Sequence, residues 1–320
     1  MGARIGVETF GPQVGTAYLI DSDDHADEEA PVVEEADGDL ALRDPLVTGA
    51  GTEAPVAFVD GVRRGDARLS VVTDGGRMAV GVAGAHGVGA VRCDPGRGPG
   101  YHHLASRRLV VWGGGQHLAL PEAAGGFRWD CVSVATSHPD APLQELQQRM
   151  REAEGRLAER LCADGVLTVI DGPLNYVRSR DLPVLGYVKT HHRALLAPEQ
   201  HRRVPDLAPG QRTSLFAKRA DIYACYLRLA HPLPWAGPWA GIVRLEVPSS
   251  VGLAAAAATA DRAALLLPRY AGVAHLDSRA PVNLQPVAKL EARLRHLLGD
   301  PGLAVRAIRA AALHANEEAA

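Results

Sequence analysis

The stretch VLTVIDGPLNY at 166–176 decides the fold, and its reading depends on an earlier one, VAFVDGVRR at 56–64. In the first, four apolar residues and a β-favouring Thr168 run into an Asp-Gly-Pro corner at Asp171. In the second, another apolar run ends in Asp60-Gly61. Short continuous apolar runs bounded by turn residues read as strands buried on both faces. If the two lie side by side and parallel, their ends meet, and neighbouring strands are only about 4.8 Å apart. Asp60 and Asp171 would then present two carboxylates to one small volume. Two unpaired carboxylates that close repel and do not both ionise cheaply. A divalent cation removes the conflict, and hard oxygen ligands suit Mn²⁺ or Mg²⁺. The glycine after each Asp removes a side chain where a phosphate would need close approach.

The surroundings of the two corners fit this pairing. VAFVD, ARLSVVTDG, RMAVGVAGAHGVGAV, RRLVVWGGG and RWDCVSVA read as strands punctuated by Gly and charged turns. APLQELQQRMREAEGRLAERLCADG (141–165) reads as a helix opened near Pro142 and closed by Asp-Gly. VLTVID and VLGYVKT follow as strands, KRADIYACYLRLA (218–230) as a helix, and AGIVRLEVP as a strand. Three helices close the chain, in GLAAAAATADRAALLLPRY, LQPVAKLEARLRHLLGD and PGLAVRAIRAAALHA. Antiparallel strands, a helix, a buried strand and then alternating elements predict an α/β fold. Its order is that of a ribonuclease H-like mixed β-sheet flanked by helices, with a helical C-terminal region.

The helix at 141–165 supplies a third acidic candidate. Its apolar stripe runs through Leu146, Met150, Leu157 and Leu161. At about 100° per residue from Met150, Glu154 falls inside the stripe at roughly 40°, whereas Glu152 and Glu159 face water near 200° and 180°. A carboxylate on a core-facing stripe needs a partner, and a metal or metal-bound water would be one. Lys189, on the apolar strand that follows, could offset charge that builds on a phosphate. Arg63 and Arg64 beside Asp60, and Arg178 and Arg180 beside Asp171, could hold a nucleic-acid backbone.

Composition sets the bounds. With 320 residues, 47% of them hydrophobic, the chain can bury a sizeable core. No apolar run is long enough for a membrane span, and the first residues lack a basic-then-apolar signal pattern, so the reading expects a cytoplasmic, soluble protein. The four cysteines are scattered without a CxxC pair, which argues against both a zinc site and a disulfide framework. YHH (101–103) and THHR (190–193) lack cysteine partners and are not read as zinc ligands. The net charge of −3 hides a dense acidic block at 21–44, read as a flexible, solvated loop; the remainder is mildly basic and suits a phosphate-rich partner. The triple glycine at 113–115 has no Gly-Lys-Ser/Thr after it and forms no nucleotide loop.

Strand-Asp, helix-Glu, strand-Asp is the ribonuclease H-like acidic triad, and the local wording resembles the NurA nuclease family. The resemblance rests on FVDGVRRGDARL, REAEGRLAERL followed by VIDGPL, LGYVKTHH, and the late YAGVAHLDSRAPVNLQPVAKLEARLRHLLGD. It implies an N-terminal arm at 1–54, a NurA-like nuclease domain at 55–313 and a tail at 314–320. It further implies a manganese-dependent deoxyribonuclease that resects 5′ ends at double-strand breaks by a two-metal mechanism. Such enzymes are homodimers that work beside a HerA-like hexameric ATPase, with DNA as the substrate. Carried over by position, Asp60, Glu154 and Asp171 would hold the metals and Lys189 would be the active-site lysine. The late tyrosine falls on Tyr270, and its following His or Asp on His275 or Asp277. The family's Ser after the first Asp-Gly is Val62 here. Two other readings stand beside the nuclease. One is a non-catalytic DNA-binding or ATPase-regulating module on the same fold. The other is an actin-like phosphotransferase, which predicts two repeated halves that the sequence does not contain.

Overall fold

The structure, a computed structural model of the 320-residue chain, describes residues 4–8, 29–46, 54–72, 76–191 and 193–318. Short strands β1 (Ile5–Val7) and β2 (Leu42–Arg43) come from the N-terminal arm. Three long strands, β3 (Val56–Val72), β4 (Met78–Asp94) and β5 (Gly98–Trp112), form an antiparallel meander, and β6 (Asp130–Ser133) adds in parallel to β5. Helix α1 (Ala141–Ala163) leads to β7 (Leu167–Asp171) and β8 (Leu185–Val188). After α2 (Pro198–Arg203) come β9 (Arg212–Thr213), β10 (Phe216–Arg219), β11 (Ile222–Arg228) and β12 (Ile242–Pro248). Helices α3 (Leu253–Leu266), α4 (Gln285–Leu297) and α5 (Pro301–Glu318) end the fold.

Among the described residues all strands join one mixed sheet, in the order β2-β9-β11-β12-β8-β7-β3-β4-β5-β6, with β1 paired to β3 and β10 to β11 off this path. The expected pairing of the two Asp-Gly strands is present. β3 and β7 are parallel, with Val56 opposite Leu167 and Val59 opposite Ile170, so Asp60 and Asp171 follow at matching positions. Alternation on β3 sends Val56, Phe58 and Val62 toward α3 and α4, and Ala57 and Val59 toward α1. Both faces are therefore covered, which is why these strands read as continuous apolar runs. No helix among the described residues is long and apolar enough to cross a membrane.

Helix α1 behaves as its stripe predicts: Leu146, Met150, Leu157 and Leu161 are buried, and Glu154 is buried with them. Gly155 lets the helix press against the loop after Asp171, since a Cβ there would sit 2.2 Å from the Tyr176 carbonyl oxygen. Alanine is ordinarily the better helix former by about 1 kcal/mol. At this position the clash outweighs that gain, and Gly155→Ala should lower stability by about 1–3 kcal/mol. Urea denaturation checks this; a midpoint equal to or above wild type would show that the helix is not so tightly seated. Glu159 also differs from the reading as a water-facing charge, because it accepts a 2.8 Å hydrogen bond from the Ser179 amide and another from that of Arg178.

Three expectations are corrected. Residues 218–230 are not helical but supply the end of β10 and all of β11, which turn about Ala220-Asp221. Ile222, Ala224, Cys225, Tyr226 and Leu227 are all buried, so the period-2 signal of a half-exposed strand is absent. The runs read as VAFVD and ARLSVVTDG are one 17-residue strand with a bulge between Gly65 and Ala67. Finally, the described part of the acidic block is not a solvated loop. Val32 bridges to Phe216 and β2 pairs with β9, while Glu34 meets Arg212 and Glu35 meets both Arg43 and Ser214. Residues 21–28 of that block lie outside the described residues.

Candidate metal centre

Asp60 and Asp171 project from adjacent parallel strands onto the α4 face of the sheet, and α4 brings Glu291 to them. One carboxylate oxygen from each lies within 4.8 Å of the others, the only such group of three His, Cys, Asp or Glu side chains among the described residues. Oxygens bound to one small divalent ion at about 2.1 Å lie no more than about 4.2 Å apart, so slight closure suffices. Asp60 is 4% exposed, and its Oδ2 has no hydrogen-bond partner. Its pKa is pushed well above the ordinary carboxylate range, first by burial and then by Asp171, Glu154 and Glu291, with Lys189 opposing. A buried, crowded oxygen of this kind calls for a proton or a cation. The donor set consists of hard oxygens, and it fits Mg²⁺ or Mn²⁺.

Lys189, just beyond β8, donates to Asp171 Oδ2 at 2.6 Å and to Asn283 Oδ1 at 3.1 Å. Burial disfavours its charge, but Asp171, Asp60 and Glu291 outweigh this and hold its pKa above the ordinary lysine value. The buried Asn283 in turn donates to Asp277 Oδ2. Asp277 therefore joins the site through Asn283, whereas His275 is exposed on the same loop. The Tyr187 hydroxyl donates to the Val282 carbonyl at 2.7 Å and fixes this loop to β8. Tyr270 does not join the group. It packs edge-on against Phe58 at 5.0 Å, and burial together with Cys93 pushes its hydroxyl up to about 12.

Glu154 is fully buried, as its helical phase predicts, but it approaches from the α1 side of β3 and is not one of the three clustered carboxylates. Gly61 turns toward α1 and opens the gap for it: a Cβ at 61 would meet Glu154 Oε1 at 2.5 Å and Met150 Cγ at 2.8 Å. Arg151 Nη1 donates to Glu154 Oε2 and to the Asp171 carbonyl, both at 2.9 Å. The Glu154 carboxylate, ahead of Asp60 and Asp171, raises the Arg151 pKa against the effect of burial. Val62, where the resembled family has Ser, is buried in the apolar cluster shared with α3 and α4.

Glu291 is absent from the sequence candidates, although its position carries the signal. It stands four residues after Val287 and three before Leu294, on the same stripe of α4 that buries Leu290. Like Glu154 on α1, it falls by helical phase inside the apolar stripe of its helix. Arg295 and Arg279 hold its Oε2 at 2.9 and 3.2 Å. Of the four arginines that flank the Asp-Gly corners, Arg63 turns to the α1 side of β3, away from the carboxylate cluster. It bonds to Gln147 and has its pKa lowered by burial and by Arg151. Arg64 is tied to Asp66 and the Gly299 carbonyl, Arg180 to Asp221, and Arg178 is exposed 3.9 Å from Glu152. His191 meets the Ile242 carbonyl, while His192 lies outside the described residues.

No protein-family model and no curated protein matches this chain. Among solved structures, the chain is similar to the NurA nuclease from Sulfolobus solfataricus, with a TM-score of 0.45 and 13% identity over 80% of this chain and 84% of that one.

Proposed function

We propose that this protein is a metal-dependent nuclease that hydrolyses DNA phosphodiesters. The observation that carries the reading is the meeting of Asp60, Asp171 and Glu291 within 4.8 Å, with an unpartnered, buried oxygen on Asp60. These three residues would hold the metal. When bound, divalent metal supplies an activated water and a clamp on the attacking and leaving oxygens of an in-line displacement. Lys189 keeps a positive charge beside Asp171 and can neutralise charge that develops on the phosphate. Asn283 and Asp277 hold that lysine in place, and Arg151 pairs with Glu154 on the α1 side of β3, outside the cluster. The order β5-β4-β3-β7-β8, with α1 between the meander and β7, supports the ribonuclease H-like reading.

The finer assignments rest on the sequence resemblance: manganese as the preferred ion, two ions, resection of 5′ ends, a homodimer, and a HerA-like ATPase partner. The first test is degradation of labelled DNA by the purified protein. Cleavage should need Mn²⁺ or Mg²⁺, proceed without ATP, and be weaker with Ca²⁺, whose longer and looser coordination suits the two-metal geometry poorly. No cleavage of single- or double-stranded DNA under any of these metals would favour the non-catalytic DNA-binding module.

A further inference from the structure

Helix α1 also covers β4, β5 and β6, and between them lies an open groove of about 820 Å³ that the metal centre does not use. The groove is on the α1 face, because Gly84 of β4 turns toward Leu146 whereas Gly87 and Gly89 turn toward Leu294, Leu298 and Leu290 beside α4. Arg107, Arg149, Arg156 and Arg160 line it, against the carboxylate of Asp130. Arg149 and Arg156 pair with Glu145 and Glu152. Arg107 and Arg160 form no ion pair with a described residue.

Two histidines complete the lining. His86, directly opposite Arg107 in the β4–β5 register, is only 5% exposed, and its Nδ1 has no hydrogen-bond partner. Burial, then Arg107 and Arg156, drive its pKa down to about 4, so at neutral pH it is an uncharged imidazole amid positive charge. His103 sits where the β4–β5 register shifts, at φ 53, the only non-glycine with positive φ among the described residues. Such strain persists where the surrounding structure demands it, and a bulge re-aims a side chain. Cationic walls around a buried polar atom without a partner call for an anion. Arg149 and Arg160 are eleven residues apart on α1, about 16 Å along the axis at 1.5 Å per residue. A single phosphate cannot reach both, whereas a chain of phosphates can.

We propose that this groove binds the phosphate backbone of a single nucleic-acid strand, on the face of the sheet opposite the carboxylates. That the polyanion is nucleic acid rests on the proposed nuclease function; the need for an extended anion does not. The test uses fluorescence anisotropy of labelled dT20 with the full chain in EDTA, so that metal and turnover play no part. The exposed pair Arg107→Ala/Arg160→Ala should weaken binding at least tenfold at low salt. It should also make the slope of log K against log salt shallower by about 1.4, the value for two lost contacts to a single strand. A control pair, Arg202→Ala/Arg309→Ala, makes the same change in charge on α2 and α5 and should stay within twofold. The imidazole carbon–proton signal of His86, identified by its loss in His86→Gln, should shift on dT20 addition and saturate at the same Kd. Equal loss in both pairs overturns the proposal. So does a His86 signal that stays fixed at saturating dT20, or one that responds only to inorganic phosphate or ATP. Failure of cleavage with binding through the groove intact removes the nuclease reading alone. Cleavage with an unresponsive groove removes this proposal alone.

Discussion

Asp60→Asn and Glu291→Gln should each reduce metal-dependent DNA cleavage by on the order of a thousandfold, because each removes a carboxylate oxygen from the only clustered donor set among the described residues. Stability should not fall with activity. Asp60 is buried among like charges, so a neutral isostere relieves repulsion, and thermal denaturation without metal should occur at or above the wild-type temperature. Glu291→Gln leaves Arg279 and Arg295 behind, but these side chains are 47% and 62% exposed and water can solvate them. Glu154→Gln should behave in the opposite manner. It leaves the largely buried Arg151 without its counter-charge and should cost about 3–5 kcal/mol of stability, with activity lost through the fold. Loss of activity in Glu154→Gln at unchanged stability, alongside full activity in Glu291→Gln, would return the third metal position to Glu154.

Arg212→Met should be among the most destabilising single changes in the chain, at about 3–5 kcal/mol. Arg212 is 1% exposed and holds Glu34 at 2.7 Å and Asp261 at 2.6 Å, which joins the acidic arm, the sheet and α3. Removing it leaves two carboxylates facing each other without a counter-charge. The effect should depend on pH in a definite direction. Burial works to raise the Glu34 pKa, but the bonds and charge of Arg212, with the Leu215 amide, bring it below 4.5. The pair's contribution is therefore fully present above about pH 4.5 and is lost as pH falls through the lower folded value. Urea midpoints of variant and wild type should differ most at neutral pH and converge as pH falls below 4.5 through the lowered folded value. A difference that persists unchanged into acid would place the Arg212 contribution in its packing rather than its charge.

The parts of this fold that sequence alone reveals are those where one physical rule acts without competition. β3 and β7 announce themselves because burial on both faces leaves unbroken apolar runs, each ended by Asp-Gly. The burial of Glu154 follows from helical phase. The same rule reaches Glu291, yet the late segment draws attention to Tyr270, His275 and Asp277 through its wording rather than its periodicity. Of these, Asp277 touches the site through Asn283, while Tyr270 packs against Phe58. The hairpin of β10 and β11 is hidden because a strand covered on both faces shows no alternation. The docking of the acidic arm is hidden because composition counts Glu34 and Glu35 as solvated charge. Their partners Arg212 and Ser214 lie far along the chain, and only the folded sheet brings them together.

The most direct test of the central claim is an anomalous difference map at the manganese edge from a crystal of the full chain grown with Mn²⁺. The predicted result is a peak within bonding distance of Asp60, Asp171 and Glu291, absent in Asp60→Asn. Manganese bound elsewhere, with none at this cluster in a protein that cleaves DNA, would contradict the account.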